Sequence, residues 1–248
     1  MKVKYFLIFL ALLVAVSCKT KQEGKHKIFM LLFDISQSTK QEEMLKNYMV
    51  NYKQIQAKFK EGDMLVAGLI TEKSISELSF PINYKFPVYN ASTDNTLYAN
   101  AEKNGFDSTQ AKVKDSLKVL IDTLLHSKRN VMHTDIFSSL QLAEKVFKSY
   151  SDYTKVLVLM SDMVESIPTC DFDREILNES KIKSIISVNE KNNIIPDLSD
   201  VKVYVAGANY SNAEKYNQIQ TFWMKYFDKC KANFTKNNYN SALINFDE

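Results

Sequence analysis

A carboxylate and two hydroxyls follow a long apolar run near the start of the chain. The run covers residues 28–33, and Asp34, Ser36 and Ser38 come next at alternate positions, with no glycine of the kind that cradles a phosphate. Carboxylate and hydroxyl oxygens are ligands for a hard divalent cation such as Mg²⁺. A strand that ends in an ordinary polar turn has the same composition, so this segment alone leaves both interpretations open.

Two further oxygen donors stand where the same site would need them. Asp162 follows the apolar run 156–160, and Thr134 precedes a helical pattern that starts after Asp135. Each also has a local alternative: Thr134 or Asp135 as a helix N-cap, Ser38 as the cap of the first helix, and Asp162 as a turn residue. Ligand crevices of open parallel sheets lie at the carboxyl ends of the strands. We therefore expect these oxygen donors to converge at one edge of a sheet.

The elements that must position these residues alternate between buried strands and amphipathic helices. Continuous apolar runs predict strands over residues 28–33, 64–70, 156–160 and 201–206, with a further edge strand over 74–80. Apolar positions at helical spacing predict helices over residues 45–59, 108–124, 136–147, 175–186 and 213–230. Gly62 is expected to end the first helix in the C′ position. The order predicts an α/β fold: a doubly wound, mainly parallel sheet with helices on both faces and one antiparallel edge strand.

Residues 81–107 lack any periodic pattern. Pro81 and Pro87 interrupt this segment, which is rich in Asn, Ser, Thr and Tyr. We expect an irregular insertion there, and loops of this length are usually functional or mobile. Tyr89 and Tyr98 in this insertion, or residues 163–172, are candidates for a surface that contacts a partner.

The N-terminus has the features of a secretory signal. Lys2 and Lys4 precede an apolar core over residues 5–16, and residues 15–18 resemble a bacterial lipobox ending in Cys18. We predict a signal peptide over 1–17, lipidation of Cys18 and a polar tether over 18–26. The expected location is the cell envelope, in the outer membrane if the bacterium has one. A plain signal peptide or an uncleaved anchor is the alternative.

Composition and length restrict the remaining possibilities. The formal net charge of +3 includes Lys2 and Lys4, and no basic stripe stands out, so a nucleic acid is not an expected partner. We predict one domain over 27–230, and we leave open whether residues 231–248 pack on it or pair as a short strand, for example over 242–244.

Cys170 and Cys230 are expected at opposite ends of the fold, which favours free, buried thiols over a disulfide.

The five oxygen donors resemble the metal ion-dependent adhesion site of a von Willebrand factor A (vWA) domain. In that family an Asp-x-Ser-x-Ser turn, a threonine before a central helix and an aspartate after the fourth strand share one cation. Asp34, Ser36, Ser38, Thr134 and Asp162 match these positions one by one. The segments 134–140 and 223–227 also resemble the family, and the likeness spans residues 27–230. Met163 departs from it, because many members have glycine there, and the insertion over 81–107 has no clear counterpart.

The resemblance implies a membrane-anchored binding module rather than an enzyme. A divalent cation, Mg²⁺ with Mn²⁺ or Ca²⁺ as alternatives, would engage an Asp or Glu carboxylate on a protein partner. A metal-dependent hydrolase on the same scaffold is one alternative. For that function His133 is the only candidate base, and a second carboxylate would be expected where Ser36 stands. An envelope assembly scaffold is the other alternative.

Overall fold

The computed structural model describes residues 25–36, 39, 41–71, 80–127, 133–244 and 246. Several predictions fall outside these ranges: the signal segment, Cys18 and its lipidation, most of the tether, Ser38 of the metal set, and nearly all of the edge strand predicted over 74–80. None of the helices in the described ranges is long and apolar enough to cross a membrane.

A six-stranded sheet forms the centre of the molecule. Its strands are β1 (Lys27–Asp34), β2 (Met64–Ile70), β3 (Ile82–Lys85), β4 (Thr154–Met160), β7 (Val201–Ala206) and β8 (Tyr239–Asn240). They lie in the order β3-β2-β1-β4-β7-β8, and β3 alone is antiparallel to its neighbour. A separate hairpin pairs β5 (Ser166–Ile167) with β6 (Cys170–Asp171). The predicted mainly parallel sheet with an antiparallel edge strand is confirmed.

Five α-helices connect the strands within the described ranges. They are α1 (Glu42–Gln56), α2 (Thr96–Leu125), α3 (Ile136–Lys148), α4 (Glu179–Lys191) and α5 (Ala213–Lys229). A 3₁₀ turn over Lys236–Asn238 precedes β8. The central strand β1 shows why its sequence is continuously apolar: Ile28, Met30 and Leu32 pack into the core on one face. The intervening Phe29, Leu31 and Phe33 pack into the core on the other, as expected for a sheet covered on both sides.

The first helix ends earlier than predicted, and Gly62 is not its cap. Helix α1 ends at Gln56, with Ala57 as its C-cap. Gly62 lies in the turn before β2 at φ +78°, where its N–H donates to the Phe86 carbonyl at 2.9 Å. A Cβ at this position would lie 2.2 Å from the His26 ring. Glycine is therefore needed for a close approach and a left-handed backbone, not for a helix end.

Helix α2 begins twelve residues before the predicted start near Ser108. Asn95 caps it by accepting a hydrogen bond from the Leu97 N–H at 3.1 Å. Its first turns are largely exposed, so they lack the apolar period that marks a buried helical face. The predicted irregular insertion over 81–107 is therefore wrong for most of its length, since it contains β3 and the start of α2. Helix α4 also starts later than predicted, at Glu179, with Asn178 as its cap.

The residues after Cys230 complete the sheet and the core. β8 pairs in parallel with β7, so that Val205 lies opposite Tyr239. Leu243 packs into the core, and the Phe246 ring lies 4.9 Å from the ring of Tyr204. Of the two possibilities left open for residues 242–244, Leu243 packs on the domain, while the short strand forms at Tyr239–Asn240. The fold thus extends past the predicted boundary at residue 230.

Cys170 and Cys230 are free thiols buried in the core, as predicted. Burial raises the pKa of Cys170 to about 12 and also raises the pKa of Cys230. Both side chains therefore act as small apolar groups at neutral pH.

Candidate metal site

The register of the sheet brings Asp34 and the turn after β4 together. β1 and β4 are neighbours, with Phe33 opposite Met160, so their carboxyl ends reach the same edge. The Ser161 hydroxyl donates to Asp34 Oδ2 at 2.8 Å, although the two residues are 127 positions apart. Asp162, the next residue, is 8% exposed at this edge. Two of the predicted site residues thus lie on adjacent strand ends.

Asp34 is fully buried and is surrounded by neutral donors. Its Oδ1 accepts the Ser36 N–H at 2.9 Å and lies 3.3 Å from the Thr39 hydroxyl. Thr39 also lies 3.3 Å from the Ser36 hydroxyl and donates to the Asp34 carbonyl at 2.9 Å. Burial raises the pKa of Asp34, and the hydrogen bonds from Ser36, Ser161 and Thr39 oppose that rise. Thr39 and Ser161 were not predicted, although both are hydroxyl residues adjacent to predicted ligands.

The β5–β6 hairpin fixes the backbone of Thr134. The Thr134 N–H donates to the Ser166 hydroxyl at 2.8 Å, and the Ser166 N–H donates to the Thr134 carbonyl at 3.0 Å. Asp135 is the N-cap of α3, accepting the Ser138 N–H at 2.8 Å. The capping role left open between the two residues therefore belongs to Asp135. Thr134 is 2% exposed, and the neighbouring His133 is exposed.

Glu165 connects this hairpin to the start of α3. Its Oε2 accepts the N–H groups of Ile136 and Phe137, at 3.0 and 3.3 Å. The carboxylates of Asp135 and Asp34 add to burial in raising the pKa of Glu165, so Asp34 and the N-terminus of α3 lie near the same side chain. Glu165 was not predicted, because it follows Asp162 by three residues in a segment without periodicity.

The turn that carries Asp162 has a left-handed residue at Met163. Asp162 Oδ1 accepts the Val164 N–H at 3.0 Å, so the predicted local turn role is real. Met163 has φ +66° and is completely buried. Its N–H donates to the Ser161 hydroxyl, and its carbonyl accepts the Trp223 indole N–H at 2.8 Å. The glycine common in the resembled family is therefore replaced by a side chain that fills the core at the cost of backbone strain.

Two buried polar atoms at this edge make no hydrogen bond of normal geometry to the residues that the structure describes, although one of them, the Tyr48 hydroxyl, lies near Thr39. They are the Tyr48 hydroxyl and Glu165 Oε1. The carboxylates of Asp34 and Asp162 add to burial in raising the pKa of Tyr48, so the hydroxyl faces the predicted ligands. A Cβ on Gly207 would lie 2.9 Å from both Tyr48 Cε1 and the Ser161 carbonyl. Glycine at 207 is thus what allows the Tyr48 ring to reach the site.

This set of donors has the chemistry that a divalent cation requires. Within the described ranges no three His, Cys, Asp or Glu side chains form a metal-binding group, so a cation here would depend on hydroxyl oxygens as well as carboxylates. Asp34, Ser36, Thr39 and Ser161 form one hydrogen-bonded unit that provides both. Asp162 follows Ser161 directly in the chain. Thr134 is joined to the same segment by its two hydrogen bonds with Ser166. Such hard oxygen donors suit Mg²⁺ or Mn²⁺.

Solved structures similar to this chain include a von Willebrand factor type A protein. An aerotolerance-related membrane protein from Bacteroides fragilis is 11% identical, with a TM-score of 0.41 over 88% of this chain and 92% of that one. A von Willebrand factor type A protein from Catenulispora acidiphila is 11% identical, with a TM-score of 0.40 over 84% and 42%. The manganese-loaded TRAP protein of Plasmodium vivax is 13% identical, with a TM-score of 0.38 over 78% and 62%. The chain spans less than two thirds of the last two.

No family model and no curated protein matches the chain. The assignment of the fold rests on the strand order and register described above.

Proposed function

We propose that this protein is a membrane-anchored, vWA-type binding module that uses a divalent cation to engage an acidic group on a protein partner. The cation would be held by Asp34, Ser36, Ser38, Thr134 and Asp162, with Mg²⁺ as the first candidate and Mn²⁺ or Ca²⁺ as alternatives. Lipidation of Cys18 would attach the domain to the cell envelope. Residues 163–172, which follow Asp162, are candidates for the surrounding contact surface.

The observation that carries this proposal is the buried carboxylate of Asp34. It is 0% exposed, and among the described residues the hydrogen bonds given to it come from hydroxyls and one backbone amide. Neutral donors stabilise a carboxylate but leave its charge uncompensated, and a buried charge is costly unless it is paired or binds a metal. Beside it, the buried Tyr48 hydroxyl lies near Thr39 and makes no hydrogen bond of normal geometry to the described residues. A cation with its water ligands would satisfy both.

The types of the proposed ligands favour binding over hydrolysis. Three of the five are neutral hydroxyls, which would leave much of a bound cation's charge available to a carboxylate from another protein. The hydrolase alternative would need a base, yet its candidate His133 is exposed on the surface. Neutral Ser36 occupies the position where such an enzyme would be expected to have a second carboxylate. We therefore propose no catalytic role for this site.

Metal titration tests the proposal on the chain from residue 19 onward, which contains the whole described fold. We expect saturable Mg²⁺ or Mn²⁺ binding by calorimetry, and loss of that binding in Asp34→Asn. Asp173→Asn is the matched control, because Asp173 is an exposed carboxylate whose Oδ1 accepts the Tyr210 hydroxyl. Pull-downs from solubilised envelopes should recover a partner with Mg²⁺ but not with chelator. Equal capture in chelator, or equal metal binding by Asp34→Asn, would contradict the proposal.

A further inference from the structure

Glu165 and Ser166 hold the segment that begins α3 through four hydrogen bonds. Glu165 Oε2 accepts the N–H groups of Ile136 and Phe137, at 3.0 and 3.3 Å. The Ser166 hydroxyl accepts the Thr134 N–H at 2.8 Å, and the Ser166 N–H donates to the Thr134 carbonyl at 3.0 Å. The backbone of Thr134 is therefore fixed on both sides, and so is the first turn of the helix that follows it.

These hydrogen bonds give Thr134 a short connection to Asp162. Along the chain the two residues are separated by the whole of α3 and β4. Through Ser166 they are separated only by residues 163–165. This segment is itself held in place, because its first carbonyl accepts the Trp223 indole N–H at 2.8 Å. Two of the proposed cation ligands thus lie on one hydrogen-bonded unit.

Helix α3 has a second cap that helix formation alone does not require. Helices α2, α4 and α5 each begin with an asparagine whose side chain accepts N–H groups of the first turn, at Asn95, Asn178 and Asn212. Helix α3 has the equivalent cap in Asp135 and receives the Glu165 carboxyl group as well. The additional cap comes from the segment that carries Asp162, so it joins two parts of the proposed site.

The environment of Glu165 is unfavourable for an acidic side chain. It is 0% exposed, and its Oε1 makes no hydrogen bond of normal geometry to the described residues. Burial raises the pKa of Glu165, and the carboxylates of Asp135 and Asp34 add to that rise. Burial of an acid in such surroundings costs stability. Strongly perturbed acids of this kind concentrate at functional sites, which favours a role beyond stability.

We propose that Glu165 and Ser166 are positioning residues of the metal site, which fix Thr134 at the edge of the sheet where Asp34 and Asp162 lie. This inference rests on the proposed function, and neither residue would bind the cation itself. Loss of either one should loosen Thr134 and weaken cation binding, although every proposed ligand is still present.

Calorimetric titration of Mg²⁺ into the chain from residue 19 onward tests the role in metal binding. Glu165→Leu removes the acceptor of two N–H groups, and we expect at least tenfold weaker Mg²⁺ binding. Glu165→Gln keeps an acceptor oxygen, so its affinity should stay within threefold of that of the unmodified chain. Asn178→Ala is the matched control, because Asn178 caps α4 by accepting the Lys181 N–H at 2.9 Å. Its loss should lower stability but not metal affinity.

Amide hydrogen exchange of the metal-free protein tests the positioning of Thr134 without a cation. We expect the amides of Thr134, Ile136 and Phe137 to exchange at least tenfold faster in Glu165→Leu, and Glu165→Gln to restore their protection. Amides of α5 should change no more than in Asn178→Ala, since a global loss of stability would raise exchange throughout the fold.

Unchanged exchange at these amides in Glu165→Leu, or unchanged Mg²⁺ affinity, would overturn the inference. Mg²⁺ binding by Glu165→Gln that is as weak as that of Glu165→Leu would overturn it too, because charge and not the hydrogen bonds would then be decisive. Should Glu165→Leu fail to fold, Ser166→Ala, which removes the acceptor of the Thr134 N–H, decides through the same two measurements. An unmodified chain that binds neither Mg²⁺ nor Mn²⁺ contradicts the proposed function, and the exchange measurement alone then decides the positioning of Thr134.

Discussion

At the scale of single residues, the most informative group is the buried hydroxyl of Tyr48. The Tyr48 hydroxyl lies between the helix α1 and the strand ends that carry Asp34 and Asp162, near Thr39, and it makes no hydrogen bond of normal geometry within the described part of the chain. Phenol hydroxyls in protein cores usually find a hydrogen-bond partner. In the proposed function, a water molecule bound to the cation would supply the partner of this hydroxyl.

Replacement of Tyr48 by phenylalanine separates metal binding from stability. Tyr48→Phe removes an unsatisfied hydroxyl, so the metal-free protein should keep or slightly raise its melting temperature. The same change should weaken Mg²⁺ binding by about 2–12-fold, which corresponds to one hydrogen bond of about 0.5–1.5 kcal/mol. Calorimetric titration and thermal unfolding measure the two effects.

Tyr52→Phe provides the control for this experiment. Tyr52 is a buried tyrosine on the same helix, but its hydroxyl already accepts the Gln56 amide at 3.0 Å. Its removal should leave metal affinity unchanged and cost some stability. Equal metal affinity in Tyr48→Phe and the unmodified protein would rule out a role for the Tyr48 hydroxyl at the site.

At the scale of elements, two left-handed residues end a strand and a helix in different environments. Met163, at φ +66°, follows β4 and is buried. Lys231, at φ +58°, follows α5 and is exposed. The Ala232 N–H donates to the Phe227 carbonyl and the Lys231 N–H to the Asp228 carbonyl, both at 3.0 Å, which is the Schellman pattern. The backbone strain is similar at the two positions. The packing of the side chain differs, because Met163 is buried and Lys231 is exposed.

Glycine substitutions at these positions should therefore act in opposite directions. Lys231→Gly relieves the strained backbone and removes little packing, so we expect a gain of about 0.5–1 kcal/mol. Met163→Gly relieves similar strain but deletes a buried side chain, whose loss costs about 2–5 kcal/mol, so it should destabilise by at least 1 kcal/mol. Thermal or urea unfolding of the metal-free variants measures both. Stabilisation by Met163→Gly would show that strain outweighs packing at this turn.

The elements differ in how well the sequence predicts them, for physical reasons. Strands buried on both faces, such as β1 and β7, have continuous apolar runs and were predicted closely. The start of α2 was missed because its first turns are exposed and carry no apolar stripe. Gly62 was misassigned because a glycine after a helical pattern has the same appearance whether it ends the helix or permits a close contact with His26.

In the candidate site, too, the sequence pattern predicts some residues and not others. The positions of Asp34 and Asp162 were predictable because strand ends of a parallel sheet share one edge, and Thr134 was predictable as a residue before a helix; that they bind a cation stays a prediction. Tyr48 was not, since an aromatic residue at helical spacing in α1 is indistinguishable from an ordinary core position. The position of Glu165 depends on the path of an irregular segment, and local sequence preferences do not specify that path.

For the whole molecule, the dominant feature is a central strand paired with partners that are distant in sequence. β1 pairs with β2 on one side and with β4 on the other, where Lys27 lies opposite Thr154. The contact between Asp34 and Ser161 spans 127 positions. Parallel pairings of this kind need long crossover connections, so the site depends on the completed sheet rather than on any local segment.

The long separation of β1 and β4 in the sequence has an expected consequence for folding rates. Asp34 and Asp162 can come to the same edge only after the loop between the strands has closed, and non-local pairings form slowly. A cation therefore finds no assembled site on the unfolded chain. We expect Mg²⁺ to leave the refolding rate nearly unchanged and to slow unfolding instead.

If the proposed site binds metal, a hundredfold excess over the dissociation constant would add about 2.7 kcal/mol of stability, which corresponds to about a 100-fold slower unfolding rate. Stopped-flow refolding and unfolding in Mg²⁺ and in chelator would measure the two rates, and faster refolding in Mg²⁺ would show that the site forms early. The cation would then stabilise the sheet only after it has formed. Loss of the metal would shorten the lifetime of the native state without changing its structure.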